Sequence, residues 1–179
     1  MKKHPVSLKE AAPIIAEALP KGILLNSRGE KFNTMVIGWG ALGTIWGKSA
    51  FTVYVREGRF SRLQLDANPG FTISVPLVPL SKEETRILGL SSGKNIDKVK
   101  EARLSLVEAD LNGVEGIAQY PLTLECRVLY RQKQDLSLIP EDIRVRSYPE
   151  NVDSSAPLAN RDAHIMYIGE ILSCYRIGD

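Results

Sequence analysis

From residue 122 to residue 131 the side chains take turns. Leu122, Leu124, Cys126, Val128 and Tyr130 alternate with Thr123, Glu125, Arg127, Leu129 and Arg131. A period of two sends successive side chains to opposite faces of an extended chain, so the stretch predicts a β-strand with one buried and one wet face. Five further runs read as strands: 22–26, 31–38, 50–55, 71–75 and 165–175. The last is mostly apolar, which predicts burial on both faces. The first two flank Ser27-Arg28-Gly29-Glu30, a turn sequence, and so predict a hairpin. The predicted helices are short. Ser7…Glu10 and Ser81…Glu84 have capping-box spacing, in which each side chain satisfies an orphan amide of the other residue. They open helices over 7–19 and 81–90, and two more are expected over 60–68 and 95–102. Pro13 is expected to kink or split the helix over 7–19, and Asn68-Pro69-Gly70 to stop the helix over 60–68. Because long helices do not alternate with the strands, a doubly wound parallel sheet is disfavoured. The pattern favours a mainly β fold, a barrel or curled antiparallel sheet with short helical caps.

A chain of 179 residues suits a single domain, 1–179, with its core over about 20–175. Its 44% apolar and 25% charged content is that of an ordinary globular protein, and a net charge of +2 carries no polyelectrolyte signal for nucleic acid. No apolar run reaches the roughly 18 residues of a membrane span. Lys9, Glu10 and Glu17 interrupt the stretch after the basic start, so a signal peptide is not expected and the cytoplasm is the expected location. The two cysteines, Cys126 and Cys174, fall in expected strands without a C-x-x-C spacing. They are expected to be buried thiols, and no metal site is expected.

Familiar catalytic sets are absent. There are two histidines, His4 and His164, and no H-E-x-x-H, G-x-S-x-G or phosphate-loop motif. Gly38-x-Gly40-x-x-Gly43 spells the dinucleotide-binding pattern, but Thr44-Ile45-Trp46-Gly47-Lys48 starts no long helix and no βαβ unit surrounds it. These glycines suit either a tight connection between strands or a backbone that must approach a flat ligand closely. Arg56, Arg59 and Arg62 lie near the start of the expected 60–68 helix. They read either as a solvated charged turn or as a phosphate cradle, in which guanidinium groups and the Ser61 hydroxyl join the free amides of a helix N-terminus.

Several segments in order carry a resemblance. They are Asn33-Thr34-Met35-Val36-Ile37-Gly38-Trp39-Gly40, Thr44 to Lys48, Phe51 to Arg56, Arg59-Phe60-Ser61 with Phe71 to Ser74, Ser91 to Lys98, and His164 to Ile171. Together they resemble the flavin reductase-like family of FMN-binding split barrels, in its flavoredoxin-like branch. The resemblance implies a six-stranded antiparallel split β-barrel, a homodimer, and FMN near the subunit interface. It implies that Asn33, Thr34 and Met35 run past the flavin ring, and that Gly40, Ala41, Leu42 and Gly43 present backbone amides to the pyrimidine side. Arg56, Arg59 and Ser61 would hold the phosphate, Lys94 and Lys98 would approach the phosphate or ring, and His164, the candidate catalytic residue, would sit near the site, from this subunit or the other. Trp46 would border the flavin or serve as an apolar lid or dimer contact. The chain departs from the family pattern at Glu57-Gly58, where relatives often have Pro-Ser, and at Phe60-Ser61, where they have Tyr-Thr. Ser61 keeps the hydroxyl, while Glu57 adds a negative charge beside the cradle.

In such a protein the flavin carries the redox chemistry, and the chain supplies binding, orientation and tuning. The implied activity is an NAD(P)H-dependent flavin reductase, with NADH or NADPH as donor. The alternatives are a flavoredoxin-type electron carrier with permanently bound FMN, and a flavin-binding or structural protein without a redox role.

Overall fold

The structure is a computed structural model that describes residues 1–151 and 162–178. Of the region 135–160, whose role the sequence leaves open, residues 152–160 lie outside the described residues. Eight strands form one antiparallel sheet: β1 (Lys2–Pro5), β2 (Ile23–Arg28), β3 (Phe32–Ile37), β4 (Gly40–Ile45), β5 (Lys48–Arg56), β6 (Gly70–Val75), β9 (Leu122–Lys133) and β10 (His164–Gly178). They run in the order β3-β2-β6-β9-β10-β5-β4, with β1 added against β10. Two short strands, β7 (Leu106–Val107) and β8 (Gly116–Ile117), pair separately. The helices are α1 (Leu8–Ala18), α2 (Phe60–Ala67), α3 (Lys82–Glu84) running on into a π turn (Thr85–Leu90), α4 (Lys98–Glu101) and α5 (Glu141–Ser147). None of the helices among the described residues is long and apolar enough to cross a membrane.

The six expected strands are all present, and β1 and β4 are added to them. β10 explains the first addition. At 15 residues it spans about 50 Å, longer than one neighbour covers. β5 pairs with it over His164–Glu170, and β1 pairs with its other end, from Tyr175 to Gly178. β4 is the glycine-spaced segment. It pairs with β5 through a two-residue loop in which Trp46 (φ 53°) and Gly47 (φ 72°) both adopt left-handed backbone, the geometry that matches strand twist in a tight hairpin.

Several expectations are corrected. α1 is continuous through Pro13. Proline there leaves the Lys9 carbonyl without its helical donor, but Lys9 and Pro13 both face solvent, while Ala11 and Ile15 on the other side are anchored in the core. β9 alternates only in part, since Leu122–Cys126 is buried on both faces. One face meets the core, and the chain between β7 and β8 covers the other, with Glu125 accepting from the amides of Asp110 and Leu111. β10, expected to be buried on both faces, is half-buried over much of its length. The helix expected over 95–102 is shorter, α4 alone, because Asp97 caps it, accepting from Val99 and Lys100. Cys126 is buried and Cys174 half-buried, both unbridged, and burial raises both thiol pKa values, that of Cys174 to about 11.

The main core lies on one face of the sheet, around Leu25, Phe51, Val53, Phe71, Leu124 and Tyr167, with α1 packed against it. A second cluster, including Leu24, Phe32, Leu88, Ile117 and Tyr120, lies under the π turn and the β7–β8 ribbon. The end of β5, the start of α2 and the start of β3 converge where these layers meet.

Candidate functional site

At that convergence is a cleft of about 290 Å³, lined by residues including Asn33, Met35, Arg56, Arg59, Ser61 and Lys98. A second hollow of about 240 Å³ shares Met35, Arg56 and Arg59 with it and continues past Tyr54, Trp39 and His164. Together they reach the roughly 300–1,000 Å³ range of small-molecule sites.

The first cleft gathers cationic and hydrogen-bond-donating groups, with the Asp162 carboxylate also on its lining. Arg56 ends β5 and is buried, yet its Nη1 has no hydrogen-bond partner among the described residues. A buried, unpaired guanidinium nitrogen is costly unless a ligand completes it. Burial lowers the Arg56 pKa, with Asp162 opposing the shift, and burial reinforced by Arg56 lowers that of Arg59. Arg59 is the N-cap of α2 and provides no side-chain cap, so the helix's first amides, on Phe60 and Ser61, have no acceptor within the helix. Asn33 Nδ2 donates to Ser61 Oγ at 2.8 Å, which leaves the serine proton free for a ligand oxygen. Gly93 lies so close to the Asn33 amide that a Cβ there would collide with it, so the Ser91-Ser92-Gly93 turn can close down on the cleft. Lys98 is buried, with Nζ donating to the carbonyls of Thr34 (2.9 Å) and Leu88 (2.7 Å). Burial, followed by repulsion from Arg59, brings its pKa down to about 7. Glu57 does not face this cradle but pairs with Lys133 at 3.0 Å.

The second hollow is aromatic. The ring of Trp39 lies 4.7 Å from that of His164, and the Tyr148 ring stands nearly perpendicular to His164 at 5.6 Å. β10 pairing places His164 directly opposite Arg56. Burial first, then Arg56 and Arg59, push the His164 pKa down to about 4, so the imidazole is neutral at neutral pH.

The structure thus brings Asn33, Met35, Arg56, Arg59, Ser61, Lys98 and His164 to one connected site. Thr34 is adjacent through its carbonyl, with its hydroxyl buried on the opposite face of the sheet from Met35. Gly40 lines a neighbouring uncharged hollow with Trp39 and Tyr54. Ala41, Leu42, Gly43 and Lys94 line none of these spaces, and Trp46 is exposed at the hairpin tip, against Tyr130. Trp39, Tyr54 and Tyr148 are site residues that the sequence does not single out. The Gly38-Trp39-Gly40 spacing carries a local signal for Trp39, whereas only the fold places Tyr148 here.

No family model matches the chain, and no curated protein matches its sequence. Solved structures do match. An FMN-binding domain of a flavin reductases-like enzyme from Shewanella baltica OS155 superposes with a TM-score of 0.64 at 16% identity, over 98% of this chain and 77% of that one. Flavoredoxin of Desulfovibrio vulgaris (Miyazaki F) gives 0.60 at 17%, over 87% and 69%. A Streptomyces globisporus C-1027 NADH:FAD oxidoreductase, in complex with NAD and FAD fragments, gives 0.60 at 14%, over 96% and 86%. At these identities the likeness is one of fold, and the large antiparallel sheet and the short helices agree with it. The fold of this chain is that of the flavin reductase-like, FMN-binding split-barrel proteins.

Proposed function

We propose that the chain binds FMN and acts as an NAD(P)H-dependent flavin reductase. The observation that carries the reading is the buried, unpartnered Nη1 of Arg56, in a cleft that also presents Arg59, the Ser61 hydroxyl and the first amides of α2. This donor set suits a phosphate monoester. The adjoining hollow, lined by Met35, Trp39 and His164 among others, suits a flat ring. FMN fits this combination: phosphate at one end, ring at the other.

When bound, FMN supplies the two-electron chemistry. The residues of the chain hold and orient it. Arg56 and Arg59 neutralise the phosphate, Ser61 donates to it, and Trp39 and Met35 shield the ring region from water. No acid–base triad is required, because a hydride acceptor must only be held with one face open to its donor. The likeness to an NADH:FAD oxidoreductase supports a nicotinamide donor, and the likeness to flavoredoxin supports the second reading, an electron carrier with permanently bound FMN. The reading keeps the homodimer that the family resemblance implies.

The protein is expected to purify yellow or to take up FMN at micromolar concentration. Anaerobic NADH or NADPH should then bleach it on a catalytic timescale. Bleaching by dithionite alone would favour the carrier, and colourless protein that takes up no FMN would overturn both readings. Arg56→Ala should weaken FMN by about 10- to 100-fold, the loss of one charge-assisted contact, and leave riboflavin binding nearly unchanged. An equal loss for both ligands would remove Arg56 from the phosphate.

A further inference from the structure

Tyr148, at the end of α5, is buried, and among the described residues its hydroxyl makes two contacts: Gln134 Oε1 at 2.9 Å and His164 Nδ1 at 3.0 Å. A phenol has one proton. A carbonyl oxygen can only accept, so that proton goes to Gln134, and the Tyr148 oxygen must accept from Nδ1–H of His164. Gln134 is itself held in place, since its backbone N–H donates to the His164 carbonyl at 2.9 Å. Three residues far apart in sequence therefore form a closed circuit. Because His164 is neutral, it has a single N–H. With that proton on Nδ1, Nε2 carries only a lone pair. The Trp39 and Tyr148 rings then fix the plane of the imidazole.

We propose that Tyr148 is a positioning residue: it fixes His164 as the Nδ1–H tautomer, so that His164 offers Nε2 to the ligand hollow as a hydrogen-bond acceptor. This inference rests on the flavin reading for the identity of the ligand, and not for the tautomer. Among the described residues, the charged ones lining the hollow, Arg56 and Arg59, can only donate. An acceptor opposite them suits a ligand N–H or O–H, such as the imide N–H of a flavin ring or a ribityl hydroxyl. The role also accounts for the chain between β9 and the end of α5, which returns to buttress the site through Gln134 and Tyr148.

The test is 15N NMR of the imidazole nitrogens, with and without FMN. The chain has only two histidines, so a His4→Gln variant assigns the signals. His164 should show a protonated Nδ1 and an unprotonated Nε2 at neutral pH. Tyr148→Phe should move the proton to Nε2, the tautomer free imidazole prefers. It should also weaken FMN and riboflavin by the same factor, about two- to ten-fold for one hydrogen bond. Should Tyr148→Phe fail to fold, Gln134→Leu gives the same information. Without its acceptor, Tyr148 is free to donate to Nδ1, and the proton should again move to Nε2, whereas Gln134→Glu, which keeps the acceptor, should preserve Nδ1–H. An Nε2–H tautomer in the unmodified protein, or one that neither variant changes, overturns the proposal. Unchanged flavin affinity in Tyr148→Phe overturns its ligand half. A protein that binds no flavin yet shows the expected tautomers would fail the flavin reading alone.

Discussion

Lys98 is a cation that its surroundings disfavour. Its amine donates to two carbonyls, Thr34 on β3 and Leu88 on the π turn, and a neutral amine has the two N–H groups this needs. Its pKa falls from 10.5 to about 7 by burial, with Arg59 adding repulsion. Between those values the unfolded chain holds a proton that the folded chain lacks, so Lys98 makes stability rise with pH from about 7 towards 10.5. A bound phosphate reverses the preference, because an anion favours the charged amine. FMN affinity should therefore weaken as pH rises above about 7, while riboflavin, which has no phosphate, should show little of this slope. Lys98→Met should abolish the difference, and parallel pH profiles for the two ligands in the unmodified protein would show that Lys98 does not sense the phosphate. Much of this residue set was legible in the sequence, because Arg56, Arg59 and Ser61 are close neighbours along the chain and a helix start was readable beside them. Gln134 and Tyr148 were not, since nothing near them in sequence indicates that they meet His164.

At the scale of elements, a single glycine sets how β10 crosses the core. The register with β9 shifts between Ile168 and Gly169, and a Cβ on Gly169 would run into the Phe71 ring of β6, two strands away. Gly169→Ala should destabilise the protein by about 1–3 kcal/mol, the usual effect of overpacking a filled core, measurable as a lower urea midpoint. An unchanged midpoint would mean that the Phe71 ring moves aside at little cost. The six strands read from sequence carry apolar, β-branched or aromatic runs, and those runs are a local property. β1 and β4 lack them: Lys2–Pro5 is polar and ends in proline, and Gly40–Ile45 contains two glycines. They are strands because a long neighbour presents an open edge to each, and pairing of this kind outweighs weak intrinsic propensity.

Across the whole molecule, the first strand locks the last third of the chain. Lys3 Nζ on β1 lies 2.9 Å from Asp110 and 3.6 Å from the fully buried Glu125 of β9, and 4.7 Å from the centre of the Tyr175 ring on β10. Lys3→Met should cost about 1–3 kcal/mol, because Glu125 would keep its two amide donors but lose its cation. Thermal or urea unfolding measures this, and a variant as stable as the parent would show that the two amides alone satisfy the carboxylate. Neither Lys3 nor Glu125 stands out in the sequence, where each reads as a solvated charge. Only closure of the sheet by β1 buries one against the other.

By itself, the sequence determined six of the strands and where the main helices start, and it put arginines before α2, where they read either as a solvated turn or as a phosphate cradle. Those properties depend on residues within a turn or two of each other: a period of two, a capping box, a glycine pair, arginines before a helix. The tertiary structure decided the rest. It set His164 across from Arg56, brought Gln134 and Tyr148 behind it, turned Trp39 rather than Trp46 to the site, and paired Glu57 with Lys133 outside the cradle. Each of these is a contact between segments distant along the chain. The physical reason is that strand order and burial are chosen by the packing of the whole core, and local side-chain pattern does not encode that choice.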